Sequence, residues 1–318
     1  MRFALTDEQL AFRDAVRDLL SKQCPPDVVR AAWGAPPGAL QRGPWDALAE
    51  MGVLSAMSPE GSGGMGLDFC WMVAVLEETG RAALPHPVVE TVAVLGPLRA
   101  PEGMTSAALG GTPAPCAFDA DQLLVDHDRA LRLYRREDVL LEELAAVDRA
   151  RRLGVVKALN GDGEVVADDP AAIEAAFDRG ALGTAAQLIG VGQAMLDLTV
   201  DYVKERRQFG VPVGSFQAVK HRLADAHKAL AFARPAVLRA AWSVASSAPT
   251  TGRDVALAKA MASEAADHTG RACLQCHGAI GYTVEYDLHL FLKRAWALSR
   301  AWGDSRWHRR RVAAAIGI

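Results

Sequence analysis

The sequence predicts a mostly α-helical protein with a small β domain set into it: an N-terminal helical domain over residues 1–98, a reduced middle β domain over 99–170 and a C-terminal four-helix bundle over 171–318. Three observations carry this expectation. Apolar residues recur at helical spacing near the start. Pro, Gly, Thr and short β-branched runs take over from Pro97. The helical period then returns after Asp168-Asp169-Pro170 and holds almost to the end.

The first helix begins at Thr6-Asp7-Glu8-Gln9, a capping box that satisfies free amides at a helix start, and continues through Phe12, Val16, Leu19 and Leu20. A second is expected around Trp45 to Met51. A Gly-rich stretch, Pro59 to Leu67, precedes a third helix through Val73, Leu76 and Glu77, which Gly80 is placed to end. In the middle region, strands are expected at Gln122 to Val125, Leu131 to Tyr134, Val155-Val156 and Val165-Val166. Asn160-Gly161-Asp162-Gly163 lies between the last two and reads as a hairpin turn. In the bundle, Ile189, Leu196, Val200 and Val203 mark one stripe, and Phe216, Val219, Leu223, Ala226 and Leu230 a second. An Ala-rich stretch from Asp254 to about Ala272 marks a third, whose small side chains permit close packing.

A composition of 50% hydrophobic and 23% charged residues is that of a globular chain and excludes disorder, while a net charge of -3 provides no basic field for nucleic acid or an anionic membrane. No run approaches the roughly 20 apolar residues of a membrane span, and the N-terminus lacks a signal pattern, so a cytoplasmic protein is expected. Five cysteines fit reduced thiols better than a disulfide framework. Gly61 to Gly66 is not a phosphate loop, because no strand precedes it and no lysine follows.

The chemistry is carried by two strings. Glu205 to Asp225, containing Arg206-Arg207-Gln208-Phe209-Gly210-Val211-Pro212 and Phe216-Gln217-Ala218-Val219-Lys220-His221, reads from spacing alone as a helical hairpin with a charged end. It closely resembles the R-x-Q-F-G-x-P-[IV]-G-x-F-Q signature of acyl-CoA dehydrogenases. Gln275 to Leu288, with Gln275-Cys276-His277-Gly278-Ala279-Ile280-Gly281-Tyr282-Thr283-Val284-Glu285-Tyr286, resembles that family's Q-x-x-G-G-x-G-[YF]-T-x-E-[YH] block, Ala279 departing from its second glycine. The N-terminal Met51-Gly52-Val53-Leu54, Gly63 to Leu67 and Glu77-Glu78 strings resemble it too, so the likeness spans nearly the whole chain.

The resemblance implies FAD as cofactor, an acyl-CoA thioester as substrate and an electron-transfer flavoprotein as acceptor. It implies that Arg206 reaches the FAD pyrophosphate, that Phe209 lies along the dinucleotide, that Gln217 offers amide hydrogen bonds near the adenine half, and that Gln275 and Gly278 stand where the chain approaches the dinucleotide, the glycine leaving the backbone unblocked. These contacts are expected across a subunit interface. Glu285 is implied as the base that removes the α-proton while the β-hydrogen leaves as hydride, a task a carboxylate performs once an apolar enclosure raises its proton affinity. The position at which other members carry the base aligns with Gly180.

Two family stretches are missing. Ala107 to Cys116 stands where T-E-P-x-x-G-S-D contacts the flavin ring, and Trp302-Gly303-Asp304-Ser305 only loosely echoes E-G-T. This pattern resembles the short subunits of heterotetrameric actinobacterial acyl-CoA dehydrogenases acting on steroid-derived CoA esters, which implies an α2β2 assembly with a fuller second subunit, a homo-oligomer being the alternative. A non-catalytic subunit that completes its partner's flavin site is the competing function. Cys273-Leu274-Gln275-Cys276-His277 also matches the C-x-x-C-H pattern of c-type haem attachment. No metal site is expected.

Overall fold

The computed structural model describes residues 4–318. Four helices form the N-terminal part: α1 (Asp7–Gln23), α2 (Pro26–Gly34), α3 (Gly43–Glu50) and α4 (Phe69–Arg81). The capping box at α1 forms, with the Thr6 hydroxyl accepting from the Gln9 amide at 3.2 Å and the Gln9 side chain accepting from the Thr6 amide at 2.9 Å. The Gly-rich stretch is a tight structural loop: Gly66 donates to the Ser58 carbonyl, and a Cβ at Gly64 would lie 2.1 Å from that same oxygen.

Gly80 does not end α4. The helix runs on to Arg81 and closes at Ala83, which takes a left-handed conformation (φ 47) while Ala83 and Leu84 donate back to Gly80 and Thr79. Gly80 serves packing instead, since a Cβ there would stand 2.1 Å from the Gln187 carbonyl. A buried π-helical segment, Val89–Leu95, follows and leads into the β region.

Strands β1 (Thr105–Ala108), β2 (Gln122–His127), β3 (Ala130–Arg135), β4 (Val139–Leu144), β5 (Leu153–Leu159) and β6 (Glu164–Ala167) make a four-stranded sheet ordered β1-β2-β3-β6 and a separate β4-β5 ribbon. Asn160 to Gly163 is therefore not a hairpin turn. It crosses between sheets, because β5 pairs antiparallel with β4 while β6 pairs with β3. Alternation along the strands gives the sheet two apolar faces: Ala107 and Leu124 join the main core, whereas Ala108, Leu123 and Val125 form a small second core with Tyr134 and Val139.

The bundle comprises α5 (Pro170–Glu205), α6 (Gln217–Ala245), α7 (Thr251–His277) and α8 (Leu288–Arg300), with α9 (Ser305–Ile316) folded onto α7. The 36 residues of α5 span roughly 54 Å. It crosses α4 almost backbone to backbone, a Cβ at Gly190 falling 1.9 Å from the Glu77 carbonyl. The expected order of helical domain, small β domain and helical bundle is thus the order observed. Among the described residues no helix is long and apolar enough to cross a membrane.

Candidate functional site

Arg206, Phe209, Gln217, Gln275, Gly278 and Glu285 all fall at one end of the bundle, where α5 stops, α6 starts and α7 stops. Past α5 the chain makes a two-residue ribbon, β7 (Arg207–Gln208) against β8 (Val211–Pro212), whose tip is Phe209-Gly210. Both tip residues have positive φ (54 and 81), as a tight two-residue turn demands. Holding a Phe there is unfavourable for an L side chain, and its ring is 92% exposed, meeting only the edge of Phe216 at 6.2 Å. Gln217 opens α6 and Gln275 lies in the last turn of α7, both exposed. Gly278 ends α7 at φ 64 and ψ -139, a backbone state closed to other residues, and nothing lies within 4 Å of where its Cβ would point.

Aromatic packing joins these helix ends. Tyr202, one turn before Arg206, stacks on His277 at 4.4 Å and donates its hydroxyl to the His277 carbonyl at 3.4 Å, while Tyr286 donates to the Leu198 carbonyl. His277 is held below its ordinary proton affinity by burial; its Nδ1 donates to the Cys273 carbonyl at 2.9 Å and its Nε2 has no partner among the described residues. The 283–287 loop is pinned from α2, where Arg30 donates to the Val284 carbonyl at 2.9 Å and pairs with Asp287. Glu285 rides on this pinned loop, exposed, and no described residue encloses or pairs with it. Arg206 is likewise exposed, and no described residue pairs with its guanidinium. The end presents a guanidinium fork, two amides, an aromatic ring and a bare glycine backbone on an open surface. A planar guanidinium and exposed amides are groups able to hydrogen-bond phosphate and polar ring edges.

The haem reading meets a poor geometry. Cys273 faces the core, its thiol donating to the Met195 carbonyl at 3.3 Å and pushed up to about 12 by burial, with Cys276 also raised by burial. Both thiols and His277 belong to one continuous helix. Among the described residues no group of three or more His, Cys, Asp or Glu could hold a metal ion.

A cavity of about 710 Å³ opens at the other end of α5. Its walls are Leu109, Gly110 and Thr112 from the loop after β1, Ile173 and Phe177 from the first turns of α5, and Gly303, Asp304 and Trp307 at the start of α9. The structure thereby brings together the two stretches, 107–116 and 302–305, where the family motifs are missing. Trp302 is buried beneath it, its indole over Gly180 so that a Cβ there would stand 2.6 Å from the ring, and edge-on to Phe177 at 5.5 Å. The acids in the wall are occupied: Asp126 accepts from the Gly110 amide (2.8 Å), Asp304 caps α9 through the Trp307 amide (2.8 Å), and Glu174 pairs with Arg311 (2.9 Å).

Behind this cavity lie charged groups that no sequence motif announced. Glu90, Arg151, Lys259 and Arg294 are all buried. Burial pushes the Glu90 carboxyl up, against the pull of Arg151 and of the neighbouring Trp302 indole. Arg294 pairs with Asp148, which also accepts from the Trp33 indole at 3.0 Å. The one available signal was Lys259, a charged residue inside the Ala-rich stripe of α7.

Residues 6–99 match the family described as acyl-CoA dehydrogenase, N-terminal domain, and residues 170–317 the acyl-CoA dehydrogenase, C-terminal domain. The chain is similar to acyl-CoA dehydrogenase IpdE2 of Mycobacterium tuberculosis, 33% identical over 302 residues that cover 91% of each protein. Its fold is similar to the ChsE4-ChsE5 complex from Mycobacterium tuberculosis (TM-score 0.86, 24% identity, 100% of this chain and 99% of that one). It is also similar to the Tcur3481-Tcur3483 steroid ACAD G363A variant (TM-score 0.83, 24% identity, 98% of each).

Proposed function

This chain belongs to the acyl-CoA dehydrogenase family, and from that premise we propose that it is one subunit of a heteromeric, FAD-dependent dehydrogenase acting on an acyl-CoA thioester, whose partner's flavin site it completes. One observation carries the proposal. The residues fitted to grip a dinucleotide stand at the C-terminal end of α5 and the cavity at its N-terminal end, and the 29 residue steps from Phe177 to Arg206, which caps the helix, separate them by roughly 44 Å. No single cofactor meets both in one chain. The grip serves a cleft on another subunit.

The residues fit FAD. Arg206 is free to take the pyrophosphate bidentately, Phe209 offers an uncovered ring to the dinucleotide, Gln217 and Gln275 offer exposed amides to its adenine half, and Gly278 leaves open the space a backbone contact needs. When bound, FAD supplies the acceptor for the hydride lost from the β-carbon. This chain's own part is to bind and orient. Its cavity has no uncommitted carboxylate, and the aligned base position is Gly180 beneath an indole, so in this reading the α-proton is taken by a carboxylate of the fuller partner.

A second reading keeps Glu285 as the base, favoured by its position at the same end as Arg206. It requires the partner to wrap an apolar wall around a carboxylate that this chain leaves in water. The substrate class we propose is a steroid-derived CoA ester, supported by the likeness of the shortened β domain to the short subunits of steroid-type enzymes, and the electron acceptor an electron-transfer flavoprotein. Co-purification with the partner and flavin counting test the assembly: fewer flavins than chains is expected, and one FAD per protomer with turnover by the isolated chain overturns it. Glu285→Gln in the assembled enzyme separates the readings, because lost turnover selects the second.

A further inference from the structure

We infer that Lys259, on the inner face of α7, is the positioning residue for the loop that floors the cavity, holding Trp302 and Gly303 in the conformation that shapes it. Only residues 301–304 separate α8 from α9, and the reversal places two consecutive residues at positive φ, Trp302 at 56 and Gly303 at 89. Glycine accepts such a state; a tryptophan has to be held there. On one side the loop presents Gly303 and Asp304 to the cavity. On the other side Lys259 is wholly buried, and its Nζ donates to the Gly303 carbonyl at 3.1 Å, the Ser299 carbonyl at 3.3 Å and the Ser263 hydroxyl at 3.2 Å. An ammonium has three N–H donors and here three acceptors, two of them loop or helix-end carbonyls that the reversal leaves without backbone donors.

The neighbours act in the same direction. His308, from α9, bonds the Trp302 carbonyl through Nε2 at 2.8 Å. The charged and titratable groups facing the ammonium are Arg151, from the segment before β5, which opposes its charge, Asp304, from the loop itself, which favours it, and His308. Burial carries Lys259 down to about 7 and His308 down to about 4. Near neutrality, therefore, the lysine loses its proton while His308 stays neutral. The Ser263 hydroxyl can then turn its hydrogen toward the vacated lone pair, so the number of bonds survives. Charge assistance to the two carbonyls does not. The pinning of the cavity floor therefore changes as Lys259 titrates through neutral pH, and Lys259 acts this way whether the chain carries catalysis or only completes its partner's site.

The test reads the loop rather than turnover. Near-UV circular dichroism and acrylamide quenching of tryptophan are followed against pH in the purified chain, with Trp302→Phe identifying the Trp302 contribution. The wild-type Trp302 signal is expected to change with a midpoint close to pH 7. Lys259→Met should lack that transition and populate the opened loop roughly 10- to 100-fold more, the equivalent of one charge-assisted bond. Lys259→Arg, permanently charged, should restore protection without restoring the transition. A transition that persists in folded Lys259→Met overturns the inference. A wild-type Trp302 signal that stays flat through neutral pH overturns it too, whether or not the variants fold.

Discussion

Replacing Gly190 by Ala adds one methyl group where α4 and α5 approach most closely, and the structure sets the scale of the damage. The new Cβ would lie 1.9 Å from the Glu77 carbonyl oxygen and 2.7 Å from the Arg81 amide. Ordinary contact requires about 3.4 Å, so the helices must part by more than 1 Å, and the obstacle is backbone, which no rotamer change removes. Parting them also disturbs the reciprocal contact at Gly80 and the pairs that Glu77 and Glu78 make with Arg234 and Arg17. Overpacking of this kind costs about 3 kcal/mol. With an unfolding entropy of about 2.1 cal/mol/K per residue over the chain's 318 residues, the melting temperature should fall by about 4–5 °C. Gly34→Ala is the internal control: it ends α2 with nothing within 4 Å of its would-be Cβ, so its helix propensity should stabilise by about 0.5–1 kcal/mol. Urea and thermal unfolding of both variants at one protein concentration decide the matter. Equal stability of Gly190→Ala and wild type would refute the close approach of these helices.

Arg206→Lys keeps the charge but loses the fork, and FAD titration of the assembled enzyme by flavin fluorescence should show affinity reduced roughly 10- to 100-fold, with an unchanged affinity counting against the grip. Gly278→Ala should weaken FAD binding while also straining a backbone at φ 64, so a loss of flavin larger than the loss of stability is the expected signature in paired melting and binding curves. Glu285→Gln should leave turnover of the assembly within about twofold if the partner carries the base; a catalytic base usually contributes 10²-fold or more. Lys259 also sets a pH slope in stability. Its folded-state proton affinity is depressed to about 7 from 10.5, so the unfolded chain binds more protons between those values and stability should rise with pH across that window by about 1.4 kcal/mol per unit. Urea denaturation from neutral to alkaline pH should show this slope in wild type and not in Lys259→Met; parallel curves would contradict it.

Much of this protein was legible in order along the chain. The capping box at Thr6, the apolar stripes of α5 and α6, the change of texture at Pro97 and the two long motif strings depend on local chemistry: hydrogen-bond caps, the 3.6-residue period and turn-forming residues act over a few positions and can be recognised one stretch at a time. Readings failed where a local signal was outweighed by a distant partner. Gly80 looked like a helix stop but answers to the Gln187 backbone, more than 100 residues away, and Asn160 to Gly163 looked like a hairpin although each flanking strand pairs elsewhere.

By itself, then, the sequence determined the helices, the family likeness and the two motif strings from which the dinucleotide contacts are proposed, because each is written in contiguous residues. Only the tertiary structure decided that those residues gather at one open end of α5 with the cavity at the other, that Glu285 stands in water, and that Trp302 covers Gly180 over a buried Lys259. The physical reason is that burial and separation are properties of chain segments brought together from far apart, and no residue's neighbours in sequence reveal what will lie against it in space.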